Sequence, residues 1–254
     1  PDSRTAQRLL SSLLDEKRFW GKYVIPTLSR DDPEYGQPSR VPNHTMDGDH
    51  SYPPYCYWRG NIWAPTNFLV YLALSRYHFN EAATALAEKS VKLWRQSYDT
   101  RGWTCENYDP QTGEKSCMAT TNQSWGYLLP SMGVTELLDT EAWNPGAIRF
   151  SNGLGGDNTV ENLQLYGNRY SLFVRGETTT LCRENELVAE CRAGRFYVRD
   201  FMEGDNAAFQ LHALSSVHFV LYQDGQPYAL HVDPGVYSVK LANHIWQIKN
   251  IYNG

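Results

Sequence analysis

Apolar residues recur every three or four positions through the first half of this chain and every second position through the second, with the change between residues 143 and 147. Thr5 is placed to cap a helix through AQRLLSSLLDEKRF, in which Leu9, Leu10, Leu13 and Leu14 share one face. Residues 21–57 show neither period and read as a long irregular connection rich in Pro, Asp, Tyr and His. A stretch of that length inside a compact domain calls for a functional reason. Helices are predicted over 67–77, over 81–98 with Ala82, Ala83, Leu86, Val91 and Leu93 available to pack, and over 121–138 with an interruption near Pro130.

From Ala147 onward the segments AIRFS, ENLQLYG, RYSLFVRG, TTTLCR, LVAEC, RFYVRDF, VHFVLYQDG and QPYALHV alternate in polarity and are separated by Gly, Asn and Asp. Eight or nine short strands in such a span predict an antiparallel β-sandwich over 147–254. The expected class is therefore α plus β in two parts, with residues 1–143 helical and a linker at AWNPG, 142–146. Four helices neither close a ring nor wall a deep pocket by themselves. The first part accordingly reads as a piece of a larger helical domain.

Composition narrows the partners. With 254 residues, 41% hydrophobic and 20% charged, the chain has the make-up of a folded globular protein. A net charge of -5 provides no basic stripe for nucleic acid or an anionic membrane surface. No apolar run approaches the roughly 20 residues needed to span a bilayer, and PDSRTAQR has no signal-peptide core. The 8 Trp and 17 Tyr are more than two small cores need, and flat rings are what sugar faces stack on.

Five cysteines fall at 56, 105, 117, 182 and 191. Cys182 and Cys191 bracket a short hairpin, Cys105 and Cys117 bracket a loop, and Cys56 is left over, so disulfides across the two loops are expected. With the sequons at Asn43 and Asn122 they suggest a glycoprotein that is secreted or resides in the secretory lumen. Reduced core thiols and chance sequons are the alternative.

Four motifs in register carry a resemblance: SRDDPEYG at 29–36, YWRGNIW at 57–63 followed by NFLVYLAL, ENYDPQTGE at 106–114, and SW at 124–125. In this order the chain resembles glycoside hydrolase family 63, the group of processing α-glucosidase I and mannosylglycerate-type hydrolases, over roughly residues 5–140. The resemblance implies the last helices of an (α/α)6 toroid of twelve. It implies inverting hydrolysis of an α-glucoside or α-mannoside, with an oligosaccharide or small glycoside as substrate and no cofactor. Glu106 falls where the family has its general base. Tyr57, Trp58, Arg59 and Trp63, with Trp103 and Trp125, fall where the sugar subsite is walled.

The residue types suit that chemistry. Inversion needs one carboxylic acid to protonate the leaving oxygen and one carboxylate, roughly 6.5–9.5 Å away, to activate water. Arg59 offers a planar fork of donors, and the Trp rings offer stacking faces. Arg59 paired with Asp31 or Asp32, and Trp58 and Trp63 as packing residues, remain the structural alternatives. The family's general acid, an Asp in an upstream segment, has no counterpart here, so an N-terminal fragment or subunit is expected to supply it. A non-catalytic carbohydrate-binding or structural protein on the same scaffold is the competing reading. Asp47 and Asp49 in MDGDH read as a solvated loop, SNGLGGDN at 151–158 as a turn, and the seven His show no metal-binding spacing.

Overall fold

The computed structural model describes residues 2–37, 58–116 and 124–251. The chain divides into two compact units, residues 1–133 and 134–254.

In the first unit, α1 (Ser3–Leu13) starts one turn before the predicted cap. Asp2, not Thr5, is the N-cap, and its carboxylate accepts the Thr5 amide at 2.9 Å. A short strand β1 (Ile62–Trp63) leads directly into α2 (Ala64–Arg76), whose Pro65 occupies the first turn, where its missing N–H costs nothing. The third helix, α3 (Asn80–Arg101), runs past its predicted end to Gly102, which caps it at a φ of 73°. Strand β2 (Asn107–Tyr108) pairs antiparallel with β1. A 3-10 turn (Ser124–Tyr127) precedes α4 (Leu128–Leu137), so the interruption falls before Pro130, which then sits inside the helix's first turn.

The second unit holds β3 (Leu138–Thr140), β4 (Ile148–Ser151), β5 (Asn158–Leu165), β6 (Asn168–Arg175), β7 (Thr178–Arg183) and β8 (Glu186–Arg192). It continues with β9 (Phe196–Met202), β10 (Ala208–Ala213), β11 (Val217–Gln223), β12 (Gln226–Val232), β13 (Gly235–Ala242) and β14 (Ile245–Asn250). They form two six-stranded antiparallel sheets, ordered β14-β13-β10-β9-β4-β3 and β12-β11-β8-β7-β6-β5. Residues 142–146, expected as an interdomain linker, turn β3 into β4, closed by the Glu141 amide donating to the Ala147 carbonyl at 2.8 Å. Two-residue turns join several hairpins, and Asp224-Gly225 adopts the paired positive φ that matches strand twist.

The inner faces of both sheets share one core, in which Phe150 meets Phe196, Phe201 and Phe219 with ring centroids 5.6 to 6.5 Å apart. Strands β3, β10, β13 and β14 are additional to those predicted. Three residues are too few to show a period, AFQLHA is built from weak strand formers, and most side chains of β14 face solvent.

The expected Cys182–Cys191 disulfide does not form; both are free thiols. Cys191 lies opposite Thr179 and Cys182 opposite Leu187, so the two occupy different rungs of the same hairpin. Three residues of strand separate Thr179 from Cys182, about 10 Å at the strand rise, beyond what a disulfide bridges. Cys105 is likewise a free, buried thiol. Cys56, Cys117, Tyr57 and both sequons lie outside the described residues.

Two outcomes follow. Phe150→Ala should lower the stability of the second unit by about 4 kcal/mol, read from urea unfolding of the chain. Alkylation in denaturant without reductant, followed by peptide mapping, should label both Cys182 and Cys191.

Candidate active site

Ile62–Trp63 is held from two sides. Across the ladder, Ile62 faces Tyr108 and Trp63 faces Asn107. On the other side Pro26 bridges to Ile62, and the Thr27 amide donates to the Asn61 carbonyl at 3.1 Å. The Thr27 hydroxyl donates to the Trp58 carbonyl at 2.8 Å and accepts the Gly60 amide at 3.3 Å. The fully buried Asn67 locks this layer: its Oδ1 accepts the Ile25 amide at 3.0 Å, and its Nδ2 donates to the carbonyls of Ile25 and Trp63, both at 2.9 Å. One amide side chain thereby satisfies three backbone groups in a layer where burial would otherwise strand them.

Three of the predicted residues gather on this support. Trp58 stacks on Trp63, with centroids 3.7 Å apart and an interplanar angle of 11°, and Trp125 meets Trp63 edge-on at 5.8 Å. Trp63 is 1% exposed, whereas Trp58 and Trp125 are 47% and 39% exposed. The rings with open faces are therefore the outer two, and Trp63 backs them. Gly126 brings Trp125 here by close packing: a Cβ at that position would lie 2.7 Å from Thr104 and 2.9 Å from the Cys105 carbonyl.

Arg59 pairs with Glu34 at 2.8 Å rather than with Asp31 or Asp32. Asp31 is engaged by Arg18 at 3.0 Å, and its carboxyl lies below the ordinary aspartate range, mainly through the Ser29 hydroxyl and then Arg18. The Gly36 amide donates to the Arg59 carbonyl at 2.7 Å, so the DDPEYG segment is docked along YWRG. Gly60, at a φ of 130°, sits against the Tyr35 ring, where a Cβ would approach to 2.7 Å.

Glu106 precedes β2 at a bend and is 8% exposed. Its chain neighbours are anchored on both sides. The Cys105 amide donates to the Tyr108 hydroxyl at 3.2 Å, and burial pushes that phenol's pKa above the ordinary tyrosine range. Asn107 accepts the Asn61 side-chain amide at 2.8 Å, while its own Nδ2 is buried with no partner among the described residues. Beyond β2, Asp109 Oδ1 accepts the amides of Gln111 and Thr112, each at 2.8 Å, which makes DPQTG a closed turn. The Trp103 ring lies under the cations of Arg101 at 5.6 Å and Lys115 at 6.0 Å. Cys105 Sγ lies 3.3 Å from Ser97 Oγ, and burial raises its thiol pKa.

Glu106 is thus a buried acidic residue next in the chain to Asn107, the rung that faces Trp63 of the tryptophan cluster. Glu34, Asn61, Asn67 and Asn107 lie within the quoted motifs without having been singled out there, and Thr27 lies outside them. Among the described residues no group of three His, Cys, Asp or Glu side chains is placed to hold a metal ion, and no helix is long and apolar enough to cross a membrane.

Residues 1–126 match the mannosylglycerate hydrolase MGH1-like glycoside hydrolase domain, a span that contains Glu106, Arg59 and the three clustered tryptophans. Through that half the chain belongs to the family-63-like glycoside hydrolases. It is 28% identical over 127 residues to a Schizosaccharomyces pombe protein named "Probable mannosyl-oligosaccharide glucosidase". That alignment covers 44% of this chain and 13% of the relative, so the chain spans a small part of the protein it matches. A crystal structure of an uncharacterized conserved protein from Thermus thermophilus aligns with 53% of this chain and 28% of its own, at 22% identity and a TM-score of 0.38. That likeness is too slight to bear on the fold.

Asn67→Ala is expected to cost about 3 kcal/mol by orphaning the Ile25 and Trp63 backbone groups. Thermal unfolding would measure it, and loosening of the Trp58–Trp63 stack should appear as a change in tryptophan fluorescence.

Proposed function

We propose that this chain is the C-terminal portion of an inverting α-glycoside hydrolase, with Glu106 as the general base that deprotonates the attacking water. The observation that carries the reading is the buried Glu106 next to the β1–β2 ladder, whose Asn107 rung faces Trp63, the centre of the tryptophan cluster. Support comes also from the family match over residues 1–126, which includes all of these residues.

In this reading the exposed rings of Trp58 and Trp125 stack on the substrate, Trp63 backs them, and Arg59, steadied by Glu34, donates to sugar hydroxyls. Trp103 borders the approach to Glu106, and Tyr57, adjacent to Trp58 in the sequence, is a further sugar-contact residue. The general acid is an Asp on a preceding part of the polypeptide, or on a separate subunit, which also supplies the remaining helices of an (α/α)6 toroid. The acid protonates the leaving oxygen as Glu106 draws a proton from water on the opposite face, so the anomeric carbon inverts. The substrate is an oligosaccharide or small glycoside carrying an α-linked glucose or mannose. The second unit, residues 134–254, is an accessory domain. The sequons and the name of the Schizosaccharomyces pombe relative support a glycoprotein of the secretory pathway.

Glu106→Gln in the complete enzyme should lower turnover of an α-glucoside or α-mannoside by about 10³-fold while leaving ligand binding within a few fold. Retained turnover excludes Glu106 as base. Proton NMR of the first product from the unaltered enzyme should show the β anomer; an α product excludes inversion.

A further inference from the structure

The segment that carries Trp58 and Arg59 enters β1 through Gly60, at a φ of 130° that residues with a Cβ avoid. A glycine at such a place is a pivot, and the main chain before it keeps one course only where other groups hold it. Arg59 is held by the 34–36 segment, through Glu34 on its guanidinium and the Gly36 amide on its carbonyl. Trp58 is held from elsewhere. The Thr27 hydroxyl, 31 positions earlier in the chain, donates to the Trp58 carbonyl at 2.8 Å, with the Asn61 carbonyl as a second acceptor at 3.1 Å. The same oxygen accepts the Gly60 amide at 3.3 Å. One hydroxyl thereby spans the pivot, with contacts on the residue before Arg59 and the residue after it.

Thr27 is itself fixed by the layer beneath. Its amide donates to the Asn61 carbonyl, Pro26 bridges to Ile62, and both backbone groups of Ile25 end on the buried Asn67. Such a mounting matters for a ring like that of Trp58, which stacks 3.7 Å from Trp63 yet is 47% exposed. Packing against Trp63 restrains one side of it. Stacking on a ligand draws on many weak contacts that fade within an ångström of displacement, so a shift of its main chain would be felt as lost affinity.

We propose that Thr27 is a positioning residue for substrate binding, whose hydroxyl clamps the main chain across the Gly60 pivot and so sets the Trp58 ring as a platform for the sugar. This rests on the glycosidase reading and deepens it. Thr27 touches no substrate and moves no proton. It acts through Trp58, and what it sets is affinity rather than the rate of the chemical step.

The test is made in the complete enzyme, with Thr27→Val, which exchanges the hydroxyl for a methyl of similar size. Its affinity for a thio-linked α-glucoside or α-mannoside, a glycoside resistant to cleavage, should fall about tenfold, while kcat at saturation stays within about twofold. Thr27→Ser, which restores the hydroxyl, should bind within about threefold of the unaltered enzyme. In a Trp58→Ala background the loss caused by Thr27→Val should shrink below about threefold, because the ring that it positions is gone. Where Thr27→Val does not accumulate, Thr27→Ala carries the same expectations. A lowered thermal midpoint with affinity unchanged, the mark of a merely structural threonine, overturns the proposal. So does a fall in kcat alone, or an undiminished effect without Trp58. The clamp is read by binding and the Glu106 assignment by turnover, so an active Glu106→Gln leaves the clamp standing, and unchanged affinity in Thr27→Val leaves the base standing.

Discussion

The buried Asn67 side chain is the constraint on which the candidate site depends. One amide closes both hydrogen-bonding groups of Ile25 and engages the Trp63 carbonyl at the start of α2, and so joins an irregular segment, a strand and a helix at a single point. Without that junction β1 is a two-residue strand with too few hydrogen bonds to persist alone. With it, Ile62–Trp63 becomes a fixed edge on which β2 can pair and against which Trp58 can stack. The residues on both sides of Glu106 are anchored in turn, Cys105 on Tyr108 and Asn107 on Asn61.

Rigidity of this kind suits the general-base role proposed for Glu106. A general base works when its carboxylate is held at one distance and angle from the attacking oxygen, and anchoring the adjacent main chain supplies that constraint. The aromatic wall is arranged on the same principle. The innermost ring, Trp63, is spent on packing, so that Trp58 and Trp125 present open faces from fixed positions. The buried Asn107 Nδ2 is one more donor in this layer, and a buried donor kept without a protein partner carries a cost that a bound water or hydroxyl would relieve.

The second unit answers to a different constraint, the shared core of two facing sheets. Phe150 and Phe209 of one sheet both meet Phe219 of the other, and the register of every hairpin must deliver alternate residues to that layer. This requirement decides the fate of the thiols. Cys191 sits on an inward rung opposite Thr179, fully buried, and Cys182 is carried to another rung of the pair. Burial raises both thiol pKa values, which makes them poor nucleophiles as well as unbonded ones.

What the amino-acid sequence determined by itself was whatever depends on neighbours along the chain. The change of period near residue 145, the helices of the first half and most strands of the second are local patterns, and so are turn dipeptides such as Asp224-Gly225. The four spaced motifs likewise held Trp58, Trp63 and Trp125, which the fold gathers. Only tertiary structure decided that Arg59 reaches Glu34 instead of Asp31, that Trp63 is interior while Trp58 is not, and that residues 142–146 turn inside the sandwich. It also separated two cysteines that loop length alone would have joined. Each of these outcomes is a matter of register or of contact between segments far apart in the chain. Spacing along a sequence fixes which face a side chain occupies, but not what the fold brings against that face.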